Sequence, residues 1–162
     1  MSLTSTAGVT CPEGRMQIHV KNFRELSLDE LYGLLQLRAE VFVVEQNCPY
    51  QDVDGIDKEA VQVYGTIDGE IVACLRVYLW PDGNAAIGRV VNSKKVRGTG
   101  VGKQLMLEGI KVARELYPGR CCLIHSQCYA IPFYEKCGFT VAPEFEPFLE
   151  DGIPHRMMEL YL

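Results

Sequence analysis

Three glycines within five residues constrain the fold of this chain more than any other feature of the sequence. They lie in the segment Arg97-Gly98-Thr99-Gly100-Val101-Gly102, between a β-rich run and an amphipathic helical pattern. Glycine lets backbone N–H groups approach a ligand closely, and the N-terminus of a following helix adds a positive potential. The segment therefore predicts a strand–loop–helix unit whose backbone binds phosphate oxygens.

Two common phosphate-binding patterns do not fit this loop. The P-loop of nucleotide hydrolases needs Gly where Arg97 stands and Ser or Thr where Gln104 stands. The dinucleotide pattern G-x-G-x-x-G finds Lys103 or Leu105, depending on the register, where its third glycine belongs. The pattern that remains is Arg-x-x-Gly-x-Gly.

A local cluster of positive charge surrounds the glycine loop. Lys94, Lys95, Arg97 and Lys103 place four bases and no acid within ten residues, although the whole chain has a net charge of −5. That overall charge has the wrong sign for a protein that contacts nucleic acid over a wide surface. The local cluster is compatible with a ligand bearing several phosphates, and also with an ordinary solvated turn.

The length of 162 residues is close to the usual size of one domain. We expect residues 1–14 to form a disordered tail and residues 15–162 to form the domain. No apolar stretch approaches the roughly 20 residues that a membrane span needs. The seven cysteines include no C-x-x-C pair, which favours reduced thiols and a cytoplasmic location without membrane contact.

Hydrophobic periodicity and turn signals outline the secondary structure. Ser27-Leu28-Asp29-Glu30 has the form of a capping box, so a helix should follow it and extend or close over residues 39–45. Asp68-Gly69 between two β-rich runs predicts a hairpin. The predicted elements in chain order are a strand at 16–20, a helix from 28, a loop at 48–59, strands at 61–67, 71–79 and 86–91, a helix from 101, a strand at 121–126, a helix at 130–137 and closing strands at 139–141 and 156–161.

The loop at residues 97–102 resembles the acetyl-coenzyme A loop of the GNAT superfamily of N-acetyltransferases, which carries [Arg/Gln]-x-x-Gly-x-[Gly/Ala] between a strand and a helix. A second segment, Gln-x-x-Ala-x-x-Phe-Tyr-Glu-Lys-Cys-Gly-Phe at residues 127–139, is similar to the later signature of that family. The stretches Leu37–Gln46 with Pro49–Asp52, and Phe148–His155, resemble the ElaA-like branch. The resemblance implies an α/β (α+β) fold, with one GNAT-like domain and a mixed, mostly antiparallel central sheet flanked by helices.

The resemblance also implies how acetyl-CoA would bind as a co-substrate, without a metal ion. The strand before the loop would supply backbone groups to the pantetheine arm, and the loop amides would bind the pyrophosphate. Gln127 stands where Asn is commoner in the family, and Tyr134 would lie near the coenzyme sulfur. The residues expected to contact the cofactor are Val90, Val91, Asn92, Arg97, Gly98, Thr99, Gly100, Val101, Gly102, Lys103, Gln127 and Tyr134.

Acetyl transfer to an amine needs a group that takes up a proton. A lysine-like amine is neutral in only about one molecule in 2,500 at pH 7, a handicap of roughly 4.6 kcal/mol. Many GNAT relatives carry a Glu on the strand before the glycine loop, but residues 85–91 contain no acid. Glu45, His125 and His155 remain as candidate bases, and Tyr134 is the candidate acid for the departing thiolate.

The acceptor is expected to be a small-molecule or lysine-like amine, and a cationic one. Residues 45–59 and 144–151 are acidic, and the family fold would bring both segments to the acceptor side of the cleft. Alternatively, these are solvated loops whose charge serves solubility. A non-catalytic acyl-CoA binding or sensing module is the competing function, because the usual strand Glu is missing. A homodimer is compatible with the sequence.

Overall fold

The computed structural model describes residues 14–162, so all but one residue of the predicted tail at 1–14 lies outside the described residues. The strands are β1 (Gln17–Asn22), β2 (Val61–Ile67), β3 (Glu70–Leu79), β4 (Ala85–Asn92), β5 (Cys121–Gln127), β6 (Thr140–Val141), β7 (Phe148–Glu150) and β8 (Ile153–Tyr161). The α-helices are α1 (Leu28–Arg38), α2 (Val101–Leu116) and α3 (Ile131–Lys136). None of the helices in residues 14–162 combines the length and apolar character that crossing a membrane requires.

The strands form one sheet in the order β1-β2-β3-β4-β5-β8-β6, with β7 paired to β8. Every neighbouring pair is antiparallel except β4 and β5. This agrees with the mixed, mostly antiparallel sheet expected from the sequence. The chain passes from β4 through α2 to β5, which lies beside β4 in the sheet. The last strand, β8, pairs with β5, so the C-terminal strand lies in the interior of the sheet.

Helices pack on both faces of the sheet. Successive residues of a strand point to opposite faces, so a single strand can contact a helix on each side. On β3, Leu75 and Val77 belong to the core cluster that contains the buried residues of α2. Cys74, the residue before Leu75, points to the opposite face and belongs to the cluster under α1, with Leu34 and Leu37. The sheet is thus the middle layer between α2 on one face and α1 on the other.

The N-terminus of α1 is fixed by the predicted capping box. The Ser27 hydroxyl accepts a hydrogen bond from the Glu30 amide at 3.1 Å, and the Glu30 carboxylate accepts one from the Ser27 amide at 2.8 Å. After α1 the chain continues as a π-helix, Ala39–Glu45, rather than as more α-helix. The π-helix carries the chain into the loop that follows and ends at Glu45.

Two hairpins of the sheet have the same turn sequence, Asp-Gly. Asp68 and Gly69, with φ of 51° and 78°, connect β2 to β3 as predicted. Asp151 and Gly152, with φ of 51° and 77°, connect β7 to β8. The strand β7 was not predicted, and β8 begins at Ile153 instead of Arg156.

The parallel pair β4–β5 opens shortly after it begins. Only Ala85 with Cys122 and Ala86 with Leu123 are in register, and beyond these pairs the two strands separate. Backbone groups on the facing edges of β4 and β5 therefore have no strand partner in the opening. The structure leaves a cleft in the middle of the sheet.

A β-bulge lies on β4 beside this opening. The register against β3 shifts so that Arg89 and Val90 together lie opposite Leu75. Arg89 has a φ of +49°, a left-handed conformation that a non-glycine residue rarely adopts. The bulge re-aims the backbone of β4 at the place where the cleft begins to widen.

Candidate active site

A cavity of about 870 Å³ occupies the opening between β4 and β5. Its wall includes both strands, the end of the π-helix, α3 and the β7–β8 hairpin. Among the residues predicted from sequence, those in the wall are Glu45, Val90, Val91, Asn92, Arg97, His125, Gln127, Tyr134 and His155. The loop residues Gly98, Thr99, Gly100, Val101, Gly102 and Lys103 lie beyond the wall, in the turn and first helical residues that follow Arg97.

The glycines of the loop leave its backbone accessible, because no side chain covers it. Gly98 and Gly100 have φ of +79° and +86°, and a Cβ built at either one would meet nothing within 4 Å. A Cβ at Gly102 would lie 2.6 Å from Nδ2 of Asn92, so only glycine lets this residue pack against the end of β4. The first amides of α2, which starts at Val101, have no intrahelical acceptors and are free to bind an anion.

Arg97 connects the glycine loop to the π-helix. Its guanidinium donates to the Glu45 carboxylate at 2.6 Å and to the Asn92 carbonyl at 3.1 Å. Glu45, one of the candidate bases, is therefore the ionic partner of a residue in the glycine loop. This contact holds the Glu45 carboxylate beside the glycine loop.

Tyr134 lies in the cavity wall with its ring packed between two aromatic neighbours. Its ring centroid is 5.2 Å from that of Phe133 and 6.1 Å from that of Phe139, both at near-perpendicular angles. Burial raises the pKa of Tyr134 well above its usual range, so the phenol stays protonated throughout the physiological pH range. The hydroxyl is thus suited to donate a hydrogen bond to an anion.

Gln127, at the end of β5, donates from Nε2 to the Gln46 side-chain oxygen at 3.3 Å. The contact joins β5 to the residue that follows the π-helix, across the cavity opening. Both side chains line the cavity wall. The amide of Gln127 is thereby held at the cleft.

A single carboxylate lies between two histidines in the same wall. Nδ1 of His125 is 3.2 Å from one oxygen of Glu150, and Nε2 of His155 is 3.4 Å from the other. The hydrogen bond from His125, opposed by burial, lowers the pKa of Glu150. The three side chains form an acid–base cluster, which we call the His–Glu–His cluster. No group of His, Cys, Asp and Glu in residues 14–162, this one included, is arranged to hold a metal ion.

Aromatic packing fixes the imidazole rings of the His–Glu–His cluster. The ring of His125 stacks on Trp80 at 5.7 Å and meets the edge of Phe148 at 5.3 Å. The ring of His155 stacks on the ring of Phe148, with the centroids 5.6 Å apart. The imidazoles are therefore restrained by their neighbours rather than free to rotate into solvent.

The acidic loop predicted to attract a cation is neutralised by three arginines. Asp57 accepts hydrogen bonds from Arg38 at 2.8 Å and pairs with Arg76 at 3.2 Å. Arg38 and Arg76 are each 2% exposed, so these charges are buried. The remaining contacts of this ion-pair network are Arg38 with Asp52, Arg76 with Asp54, and Arg89 with both Asp52 and Asp54.

The ion-pair network balances the charge of three of the acids in residues 45–59, namely Asp52, Asp54 and Asp57. Three aspartates and three arginines cancel, so the loop contributes no net charge from these six side chains. The sequence could not show this, because each arginine lies on a different element. The carboxylate at the cavity beside two histidines is Glu150, which the sequence placed only within the acidic segment 144–151.

A signal for Glu150 is nevertheless present in the sequence. Asp151-Gly152 is the same hairpin dipeptide as Asp68-Gly69, and it predicts that the preceding residues pair with those that follow. Phe148 and Glu150 then share a face of β7, and His155 is the partner of Phe148. The hairpin predicted by this dipeptide places Glu150 near His155.

Comparisons with known proteins agree with this architecture. The acetyltransferase (GNAT) family model matches residues 27–139. Protein ElaA of Escherichia coli strain K12 is 42% identical over 135 residues, which cover 81% of this chain and 87% of that protein.

Two crystal structures are similar along nearly the whole chain. That of Escherichia coli ElaA has a TM-score of 0.83 at 38% identity and covers 90% of this chain and 99% of its own. That of an acyl-CoA N-acyltransferase from Pseudomonas aeruginosa has a TM-score of 0.82 at 39% identity, with coverages of 88% and 98%. The family model, the sequence relative and the fold agree, and this chain therefore belongs to the GNAT family of acetyltransferases.

Proposed function

We propose that this protein transfers the acetyl group of acetyl-CoA to a primary amine by direct attack of the amine on the thioester. The observation that carries the proposal is the early separation of β4 from β5, which opens a cavity between the glycine loop and the acid–base groups. A thioester held in this opening would have an amine-activating group on one side and a thiolate-binding group on the other. The similar acyl-CoA N-acyltransferase from Pseudomonas aeruginosa supports the same class of reaction.

The phosphate end of the coenzyme would bind at the glycine loop. Gly98 and Gly100 present open backbone, and the amides of Val101, Gly102 and Lys103 are the unpaired donors of the first turn of α2. Arg97 adds a guanidinium, which would exchange its contact with Glu45 for the pyrophosphate or share itself between the two anions. The residues present therefore fit a ligand with adjacent phosphates.

The pantetheine arm and the thioester would follow the free edge of β4. In an antiparallel strand, alternate residues direct their N–H and C=O groups toward one neighbour and the others toward the opposite edge. Because β5 has moved away, the groups of Val90, Val91 and Asn92 on that edge are available to the amide groups of the arm. A backbone N–H near the bulge would polarise the thioester carbonyl as an oxyanion-hole donor does.

Tyr134 would serve the departing thiolate. The amine nitrogen forms a bond to the carbonyl carbon, the carbon–sulfur bond breaks, and the sulfur takes a proton. The raised pKa of Tyr134 makes its hydroxyl a persistent hydrogen-bond donor. Burial of the thiolate would raise the pKa of its thiol as well, which brings donor and acceptor closer to a match.

The acceptor in this proposal is a small-molecule or lysine-like amine that is cationic in solution. The paired aspartates of residues 52–57 do not support this charge preference, but Glu150 does, because its carboxylate faces the cavity between two imidazoles. An alkylamine is an ammonium at neutral pH and would be attracted to this carboxylate. A cytoplasmic location stays part of the proposal, supported by seven cysteines without a C-x-x-C pair.

The proposal is tested by acetyl-CoA binding and by acyl transfer in one set of variants. Calorimetry with Gly100→Val should show CoA affinity at least tenfold weaker, because the new side chain enters the space left for phosphate and strains a positive-φ residue. Gly119→Val is the matched control, since Gly119 has a φ of +76° and equally open surroundings outside the loop.

A panel of primary amines, mixed with acetyl-CoA, should release free thiol from the wild-type protein in step with N-acetylated product. Binding of CoA without thiol release from any amine would support a binding module instead. Equal CoA affinity in the wild type and Gly100→Val would show that the loop is not the phosphate site.

A further inference from the structure

The His–Glu–His cluster is built by strand register rather than by chance proximity of loops. His155 on β8 pairs with Gln127 on β5, so His155, Gln127 and His125 share one face of the sheet. Phe148 on β7 pairs with His155, and Glu150 lies two residues after Phe148 on the same face. Three strands thus deliver two imidazoles and one carboxylate to one side of the cavity.

From this geometry, and resting on the proposed transferase function, we propose that His125 is the general base, that Glu150 is its positioning partner, and that His155 anchors the carboxylate. His125 accepts a proton from the ammonium form of the acceptor on Nε2. The neutral amine then forms the carbon–nitrogen bond. The second amine proton goes to the thiolate, and His125 returns its proton to solvent.

Hydrogen bonding decides which nitrogen of each imidazole is available. Nδ1 of His125 is 3.2 Å from Glu150, which can only accept, so Nδ1 carries the proton. Nε2 is then the basic nitrogen, and no residue within 14–162 forms a hydrogen bond with it. The side chain of His125 is 30% exposed and lines the cavity, so an acceptor can reach this nitrogen.

His155 is constrained differently and is not free to act as the base. Its Nδ1 donates to the Ile153 carbonyl at 2.7 Å, within its own strand. Its Nε2, the remaining nitrogen, faces Glu150 at 3.4 Å, and the side chain is only 8% exposed. When Nε2 is protonated, His155 holds the second oxygen of Glu150 and directs the first oxygen toward His125.

The charges around the cluster favour this division of roles. Glu150 stays ionised because the hydrogen bond from His125 lowers its pKa, and the positive charge of Arg89 acts in the same direction. A proton arriving on His125 creates an imidazolium beside a carboxylate that already receives its hydrogen bond. Stacking on Trp80 keeps that ring in place during the transfer.

The arrangement supplies what the sequence lacks on β4. Residues 85–91 contain no Asp or Glu, so the strand before the glycine loop offers no carboxylate as base. His125 lies across the opening from β4, on the strand that would have continued its pairing. The base would therefore act from β5, on the opposite side of the cleft.

The test compares the pH dependence of kcat in four proteins with the best amine of the panel. His125→Gln should lower kcat at pH 7 by about 10²- to 10⁴-fold, the range for loss of a general base. The deficit should shrink as the pH approaches the pKa of the amine, because more acceptor is already neutral. CoA affinity should remain within about twofold of wild type, since His125 is outside the phosphate loop.

Glu150→Gln should lower kcat at pH 7 by less than His125→Gln does, because the imidazole is still present but the carboxylate that holds the proton on Nδ1 is lost. His19→Gln is the control, a histidine on β1 that bonds to Thr66 and does not line the cavity, and it should behave as wild type. Wild-type kcat in His125→Gln at pH 7 would overturn the proposal. Wild-type protein that releases no thiol with any amine would instead contradict the transferase function itself.

A readout independent of turnover tests the cluster directly. The ¹⁵N signals of the neutral His125 imidazole, measured by nuclear magnetic resonance, should show the proton on Nδ1 and none on Nε2. In Glu150→Gln the fraction of this tautomer should fall, because the Nδ1–H group loses its carboxylate partner. An unchanged tautomer fraction in that variant would overturn the positioning role of Glu150 whether or not the enzyme is active.

Discussion

Removal of the charge on Asp57 should destabilise the fold far more than removal of a surface charge. Asp57 receives Arg38 at 2.8 Å, Arg76 at 3.2 Å and the Gln62 amide at 3.1 Å, and its side chain is 8% exposed. Asp57→Asn keeps the size of the side chain but leaves two buried guanidiniums short of one anion. Breaking a buried pair on one side costs about 3–5 kcal/mol.

The lower end of that range is expected, because each arginine keeps another carboxylate. Arg38 still contacts Asp52 at 3.0 Å, and Arg76 still contacts Asp54 at 2.7 Å. We therefore predict a loss of about 3 kcal/mol in the free energy of unfolding, a large share of the roughly 5–15 kcal/mol typical of a domain.

Urea unfolding followed by the fluorescence of Trp80, the single tryptophan, measures this loss. Glu108→Gln is the matched control, since Glu108 pairs with Lys111 at 3.6 Å on the surface and should change stability by less than about 0.5 kcal/mol. A change in Asp57→Asn that equals the control would refute the view that the ion-pair network stabilises the fold.

Acid should weaken the same network in the wild type. Burial opposes ionisation of Asp54, but hydrogen bonds from Arg76 and from the Ile56 amide lower its pKa to about 2, from 3.8. A carboxyl group whose pKa is lower in the folded state than in the unfolded state stabilises the fold at pH values above its unfolded-state pKa. This stabilisation is lost as the pH falls through the folded-state pKa. The free energy of unfolding should therefore decrease by about 2 kcal/mol between about pH 4 and pH 2 through this group alone. In Asp54→Asn the urea midpoint should depend less on pH over the same range.

Three further variants test separate parts of the account. Tyr134→Phe should lower kcat by about ten- to a thousandfold with CoA affinity nearly unchanged, and an unchanged pH–kcat profile would return Tyr134 to a packing role. Glu45→Gln should tighten CoA binding about two- to fivefold by calorimetry, because Arg97 loses a competing anion at 2.6 Å; weaker binding would mean that Glu45 positions Arg97. Gly109→Ala should lower the free energy of urea unfolding by about 1 kcal/mol, since the added Cβ would lie 2.9 Å from Leu75. The same substitution should stabilise a Leu75→Ala background, where this contact is removed and the higher helix propensity of Ala remains.

Features set by neighbouring residues were predictable from the sequence. The capping box at Ser27 and the Asp68-Gly69 turn depend on a few consecutive residues, and both are present in the structure. The strand–loop–helix unit around Gly100 also follows from local backbone requirements, because a positive φ before a helix favours glycine. Periodicity placed the longer helices and strands for the same reason.

Features set by distant residues were not predictable in this way. Each pair in the ion-pair network joins different elements, and the acidic loop therefore looked unpaired until the structure brought Arg38 and Arg76 to it. The separation of β4 from β5 depends on the whole sheet, and no residue pattern within either strand predicts it. Glu150 belongs to a three-residue strand, too short for a pattern of alternation, and only the Asp-Gly turn that follows it pointed to pairing.

A crystal structure with bound acetyl-CoA tests the central claim most directly. We predict that the pyrophosphate oxygens contact the backbone amides of residues 98–103 and that the thioester lies in the opening between β4 and β5. The sulfur should then be within hydrogen-bond reach of the Tyr134 hydroxyl, with His125 on the acceptor side of the carbonyl. Pyrophosphate bound away from the glycine loop, or a thioester outside the cavity that Tyr134 and His125 line, would contradict the account.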